Sequence, residues 1–555
     1  MSSPNALSPS TPDTTKSAAS HFPLRVSFRA LTCVLVVVGT GARLVHFIAN
    51  PSLWLDELAL ARNIVERSWS ELLLRPLDYD QVAPLGFLAL EKLAVTALGG
   101  EDYVLRLLPM LCSVVSLFLM WRVAIFVVPE TIVPLVVGML ALSPRAIFWL
   151  GTAKQYSSDV TMALVLLYTG IRFRDAANPW KVVAVAGATG AVAVWISQPA
   201  IFVAAGVWLA LAVICVTTRE RHRILPLLVL AMLWGTSSIV AAFVSINRVA
   251  PATHDYLNVV WAGGFLPVPW KISSGALWLW RRFTLVFDFN LAYPLPKLFA
   301  GLALVGCLSL WQKNWQIASL VLTPLFIALG ASAAWLYPFE KRLLFYLTPA
   351  FLLSIGAALG LLTKRTLRLQ VAGPLALLLL GIPAYAFVSR PPPYPCEETK
   401  AALAQIRQAL EEGDQMYVYY GGAHAIKFYG EKFGFVQDQY TLGGCHRGDW
   451  RAYFREIDAF RGAPRLWVLF SHSLPNLKER EVILAYLREI GVERETLNTP
   501  DERPEMETTA HLFDLSDARL LSRAEAATFS FDYPEIDRNW YASERGPAVL
   551  GSKEE

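Results

Sequence analysis

Charge is scarce in this chain. Asp, Glu, Lys and Arg make up only 17% of its 555 residues, against 55% hydrophobic ones. A soluble domain carries roughly a quarter charged residues, so the deficit points to a chain dissolved largely in lipid. The formal net charge is only +4 and the basic residues are scattered, which argues against a nucleic-acid partner. Also missing are a Gly-x-Ser-x-Gly elbow and a His-Glu-x-x-His pair, so hydrolysis on those patterns has no foothold. No His/Cys cluster suggests a tight metal site. No leader peptide is evident: the first apolar run is long, comes late, and leads into a segment bearing Trp54 and Asp56. It reads as a retained first span. The residues before it are rich in Ser, Thr and Pro, and 1–24 are expected to be a disordered cytoplasmic tail.

What is present is one apolar stretch after another. A helix that crosses the hydrocarbon core needs about 20 mostly apolar residues. Eleven stretches qualify: 29–48, 105–128, 131–150, 158–172, 181–198, 199–217, 224–246, 294–311, 316–336, 342–362 and 370–389. The basic residues then set the sides. With the N-terminus inside, the inside segments hold Lys16, Arg25 and Arg29; Arg172, Arg174 and Lys181; Arg219, Arg221 and Arg223; Lys313; and Lys364, Arg365 and Arg368. An odd number of spans places everything after Arg390 outside. The expected fold is an all-α polytopic membrane domain over 25–390, followed by a small extracytoplasmic α/β domain over 391–555.

Within that frame, 50–104 is too polar to span. Its Leu55, Leu58, Ile64, Val65, Trp69, Leu72 and Leu73 recur at helical spacing, which predicts an amphipathic helix lying in the membrane interface. Trp261, Trp270, Trp278 and Trp280 suit an interfacial aromatic belt. In the tail domain, Met416–Tyr420 and Leu466–Phe470 read as buried strands, and Lys400–Glu411 and Arg480–Ile490 as amphipathic helices. Cys396 and Cys445 are a candidate disulfide in an oxidising compartment. Gly421–Gly422–Ala423–His424 is either a phosphate-binding turn or, more simply, a tight strand-to-helix connection. His472 is similarly ambiguous.

Ionisable groups beside a membrane are costly, about 2.5–3.5 kcal/mol each on insertion scales, and therefore informative. Three outside loops carry them. Asp56 and Glu57 follow the first span directly; they either serve chemistry or stabilise the N-terminus of the interfacial helix. Lys154, Gln155, Tyr156 and Asp159 stand within six residues between two spans, where capping by Ser157, Ser158 or Asp159 and a snorkelling lysine are the plain alternative. Lys341 and Arg342 sit outside against the charge rule, and anion binding would explain them. Together the loops offer carboxylates for a base and cations for a phosphate, which suits a reaction on a lipid-linked phosphate at the outer leaflet.

The runs SLWLDELALARNIVERSW (52–69), QVAPLGFLALEKL (81–93) and GGEDYVLRLLPMLCSV (99–114) resemble the start of the GT-C glycosyltransferases. The resemblance is to the branch of the protein O-mannosyltransferases and bacterial aminoarabinose transferases (glycosyltransferase family 39-like). It covers order and spacing over about 31–158, including Gln81, Pro84 and Arg106–Pro109, and is weaker through the middle spans and at Phe339–Arg342. It implies an inverting membrane enzyme of a cell envelope, in a bacterial inner membrane, that takes a sugar from a polyprenyl-phosphate donor. The acceptor would be a glycan, lipid or protein hydroxyl. The family's essential acidic motif matches Asp56–Glu57. Asp56 is then the expected base, with its pKa raised by partial desolvation. Lys154, Arg342 and Lys341 would hold the phosphate, with Gln81, Gln155 and Tyr156 beside them. Glu57 or Asp159 would orient the acceptor or bind a divalent cation; no other cofactor is implied. A secondary transporter and a non-catalytic scaffold remain the readings from other classes. The absence of a repeat, and charges grouped at one face, speak against the transporter.

Overall fold

The computed structural model describes residues 27–267, 272–362, 366–447, 449–474, 477–499 and 507–529. The expected tail over 1–24, with Lys16 and Arg25, lies outside the described residues, as do Trp270, Lys364 and Arg365.

Helices occupy every apolar stretch named above. Among the described residues, six are long and apolar enough to cross a membrane: Phe28–Ala49, Asp102–Val127, Ala200–Thr218, Arg221–Asn247, Trp315–Ala333 and Lys341–Leu361. The chain is an integral membrane protein. The expected third span is not one helix but two, Glu130–Ala141 and Pro144–Gly151, bent by 59°. The cause is local. Pro144 has no N–H to give and disfavours helical backbone at Ser143, whose hydroxyl instead caps the new helix by accepting from Ala146 N at 3.2 Å. The carbonyls left at the end of the first half are met by Arg43, which reaches Ala141 O at 3.1 Å and Leu140 O at 3.3 Å. A buried arginine in the first span thus satisfies a break in the third. Elsewhere small residues let helices close: a Cβ on Gly306 would stand 1.7 Å from Ser354 O.

Among the described residues the tail folds as an α/β domain around five strands: β1 Gln415–Val418, β2 Thr441–Leu442, β3 Leu466–Phe470, β4 Val492–Asn498 and β5 Thr509–Asp514. Their order is β2-β1-β3-β5-β4. β1 runs parallel to both its neighbours, while β5 is antiparallel to β3 and β4. β3 (LWVLF) is buried along its whole length, as an uninterrupted apolar strand between covered faces should be.

Two expectations are overturned. The Leu55–Glu66 helix does not lie free in the interface: nine of its twelve residues are buried. Its Leu58, Leu60, Ala61 and Ile64 share one apolar cluster with Ala425, Ile426 and Tyr429 of the tail domain. Periodicity located the apolar face, but protein covers it. Cys396 and Cys445 are not joined by a disulfide.

Candidate active site at Asp56

The site begins at a helix N-terminus. Asp56 and Glu57 fall in the first turn of Leu55–Glu66, where acids are favoured. With 3.6 residues per turn they point about 100° apart, and they meet different surroundings. Glu57 turns inward and is completely buried. Its carboxylate pairs with Arg106 at 2.9 Å, accepts from Ala153 N at 2.6 Å, and closes back on Trp54 N at 3.2 Å. Arg106 also donates to Pro51 O and Ser52 O. Glu57 therefore fixes the Thr152–Lys154 turn against the first helix of the loop, and the fold encloses it on every side.

Asp56 turns the other way, with its side chain 23% exposed. Arg342 approaches Oδ2 at 2.8 Å and Lys154 approaches Oδ1 at 3.8 Å. The Lys154 ammonium also donates to Gln81 Oε1. Three segments far apart in sequence thus deliver one carboxylate and two cations to one place. The Arg342 guanidinium stands over the rings of Trp54 at 5.5 Å, Trp149 at 5.8 Å and Trp261 at 5.4 Å, and it bonds Tyr156. Three indoles and a phenol hold the arginine in a fixed pose.

The electrostatics reverse one expectation. Burial does act to raise the Asp56 pKa. The charges of Lys154 and Arg342, with a hydrogen bond from Gln81, outweigh it and hold the carboxyl down at about 2. Burial lowers the Lys154 pKa, with Asp56 opposing that shift.

The other expected residues are placed as follows. Gln155 donates to Val82 O at 3.4 Å. Tyr156 packs between Trp149 and Phe345. Asp159 is buried within the Tyr156–Asp175 helix, beside Ser197 and near enough to Tyr337 and Tyr346 to act on them electrostatically. Lys341 is half-exposed, 3.9 Å from Glu340 and above the ring of Phe289; Arg342, not Lys341, meets Asp56.

Sequence reasoning did not find the residues that dock the tail domain. The tail domain is stitched to the first loop by hydrogen bonds between residues about three hundred positions apart or more. Ser52 N donates to Glu398 at 2.8 Å, Leu53 N to Tyr429 Oη at 2.9 Å, and Leu55 N to Glu397 at 3.0 Å. Lys400 and Tyr429 both reach Asp102, at 2.8 and 2.9 Å. Arg62 meets His424 at 3.1 Å, and Tyr79 packs edge-on against the same imidazole. Nothing local in the sequence marks these partners.

The residues at Asp56 do not suit a divalent cation. Its two oxygens face an arginine and a lysine, and the adjacent carboxylate is enclosed against Arg106. Among the described residues no group of three His, Cys, Asp or Glu could hold a metal ion.

No family model matches the sequence, and no curated protein does. Solved structures do resemble it. An oligosaccharyltransferase from Archaeoglobus fulgidus, crystallised with Zn and sulfate, gives a TM-score of 0.46 at 13% identity, over 83% of this chain and 71% of that one. The Archaeoglobus fulgidus oligosaccharyltransferase AglB, in complex with an inhibitory peptide and a dolichol-phosphate, gives 0.44 at 12%, over 84% and 72%. ArnT from Cupriavidus metallidurans, bound to undecaprenyl phosphate, gives 0.36 at 14%, over 89% and 98%. These are GT-C glycosyltransferases. The likeness is one of architecture and assigns no residue a role.

Proposed function

We propose that this protein is a membrane glycosyltransferase that moves a sugar from a polyprenyl-phosphate donor to an acceptor hydroxyl, with inversion at the anomeric carbon. The observation that carries this reading is the cluster of Asp56 with Lys154 and Arg342, drawn from three segments to the end of the membrane helices. A phosphate leaving group needs fixed positive charge more than it needs a proton, and a buried lysine with a partly exposed arginine supplies it. Asp56 keeps both cations in place when no phosphate is bound. It also sets a negative charge beside an anomeric centre that becomes positive as the phosphate departs. Gln81 and Tyr156 orient the two cations, Gln155 lies at the rim, and Glu57 positions the Thr152–Lys154 turn. Asp159 is a more distant candidate for contacting the sugar.

The orientation read from the basic residues fits this scheme. The Tyr156–Asp175 helix starts at the site and ends in Arg172 and Arg174, about 30 Å away at 1.5 Å per residue. Arg172 and Arg174 then mark the cytoplasmic face. The site and the domain over 391–555 stand on the extracytoplasmic face of a bacterial inner membrane. The acceptor is a glycan, lipid or protein reached from that side.

The test compares wild type with Asp56→Asn in membranes supplied with a panel of polyprenyl-phosphate sugars, following release of free polyprenyl phosphate. Wild type should release it and the variant should not. Equal release by both would remove Asp56 from the reaction. Silence of the wild type across the panel, with native acceptors present, would defeat the glycosyltransferase reading.

A further inference from the structure

The Asp56 carboxylate is engaged by two cations, Arg342 at 2.8 Å and Lys154 at 3.8 Å, and an attacking hydroxyl must still lose its proton. The tail domain brings another group to the start of the Asp56 helix. His472 follows β3 by two residues, at the carboxyl ends of the parallel strands. There β1 is flanked by β2 on one side and β3 on the other, and such a crevice is where open α/β sheets hold their ligands. In this molecule that edge is turned toward the first loop of the membrane domain.

The imidazole is held with care. Its Nδ1 lies 2.6 Å from Glu397 Oε1, and Glu397 Oε2 accepts the backbone N–H of Leu55 at 3.0 Å. One buried carboxylate therefore ties His472 to the residue that precedes Asp56. Both members of the pair have left-handed backbone, φ +52° at His472 and +54° at Glu397. Non-glycine residues in this region cost on the order of 1–3 kcal/mol, and they persist where the surroundings over-determine them, often at functional sites. With Nδ1 donating to Glu397, Nε2 keeps its lone pair, the arrangement that prepares an imidazole to take a proton. The imidazole is also near enough to Asp56 for its charge to act on that carboxyl.

We propose that His472, oriented by Glu397, is the general base of the transfer, so that the tail domain supplies half of the active site. This rests on the glycosyltransferase reading. The acceptor oxygen forms a bond to the anomeric carbon as its proton passes to His472 Nε2. The bond from that carbon to the phosphate oxygen breaks, and its electron pair leaves with the polyprenyl phosphate beside Lys154 and Arg342. The imidazolium then returns its proton to water. The titratable groups that face His472 are Glu397, Asp56 and His424. His424 stays neutral at working pH, because burial and the Arg62 charge push it down to about 3.

The experiment uses the full chain in membranes of the organism that naturally carries it, so that the native acceptors are present, supplied with polyprenyl-phosphate sugars. In His472→Gln the side-chain amide still donates to Glu397, so the tie to the first loop survives while the base is lost. Turnover should fall about 100-fold or more, with donor KM and Tm unchanged. Glu397→Gln should show a smaller fall in kcat. Wild-type turnover by His472→Gln, or a loss confined to donor KM or Tm, would reduce His472 to a structural clip and overturn the proposal. A wild type that releases no polyprenyl phosphate would instead overturn the reading beneath it.

Discussion

Asp56 and Glu57 are neighbours in sequence and opposites in circumstance. Glu57 lies at the centre of a closed region, with Arg106, two backbone donors and no surface. Asp56 faces a region left partly open, its two cations arriving from separate loops. The closed region holds the loop in shape. The open one keeps positive charge available to something that is not part of the protein. An acidic pair in a first loop is therefore one motif with two jobs, divided by a turn of helix.

Breaking the closed region should have the largest effect. Glu57→Ala leaves Arg106 buried without its counter-charge, and loss of one partner of such a pair costs about 3–5 kcal/mol. The variant should show a sharply lowered Tm in detergent. Asp56→Asn should lose turnover with a smaller fall in Tm, because only the contribution of one partly open carboxylate is lost, and the contrast between the two variants is the sharpest form of the comparison.

Acid should act on the open region next. The Asp56 pKa falls from an ordinary 3.8 to about 2 in the folded protein. A depressed carboxyl stabilises the fold fully above its unfolded value and loses that contribution as pH drops through the folded one. Between pH 4 and 2 the wild type should lose about 2 kcal/mol that Asp56→Asn never had. Comparing the Tm of the two proteins across that window measures it.

Arg342→Lys should be milder. A lysine keeps the charge but not the planar contact with Trp54, Trp149 and Trp261, so donor KM should rise about tenfold, equivalent to about 1.4 kcal/mol. Smallest of all is Lys341→Ala. Lys341 is half-exposed and meets Glu340 rather than Asp56, so turnover should stay within about twofold, as surface ion pairs contribute little. A larger loss would bring Lys341 into the site.

Hydropathy was enough to place helices at every apolar stretch, because length and composition are local properties. It did not show the bend at Ser143–Pro144, since apolar residues continue across it and the stabilising Arg43 lies a hundred positions away. Charges grouped at one face foretold that residues 56, 154 and 342 would meet. They did not separate Arg342 from Lys341, because adjacent residues share a loop but not a direction. The Leu55–Glu66 helix showed an apolar face in its spacing, and periodicity states that a face is covered without saying by what. The disulfide was read from compartment alone, and the folded positions of Cys396 and Cys445 do not join them. Glu397, Glu398 and Tyr429 carried no signal at all.

The stitch between the first loop and the tail domain also imposes an order on synthesis. Glu57 and Arg106 are separated by 49 positions and Ser52 and Glu398 by 346. At about 5–20 residues per second, the first pair can form within seconds, whereas the second waits roughly 20–70 s for its partner to leave the ribosome. Through that interval Leu58, Leu60 and Ile64 lack the tail-domain residues that cover them in the finished molecule. That apolar face is completed only when the tail domain has been made, so a chain truncated before Ala425 should leave part of it uncovered.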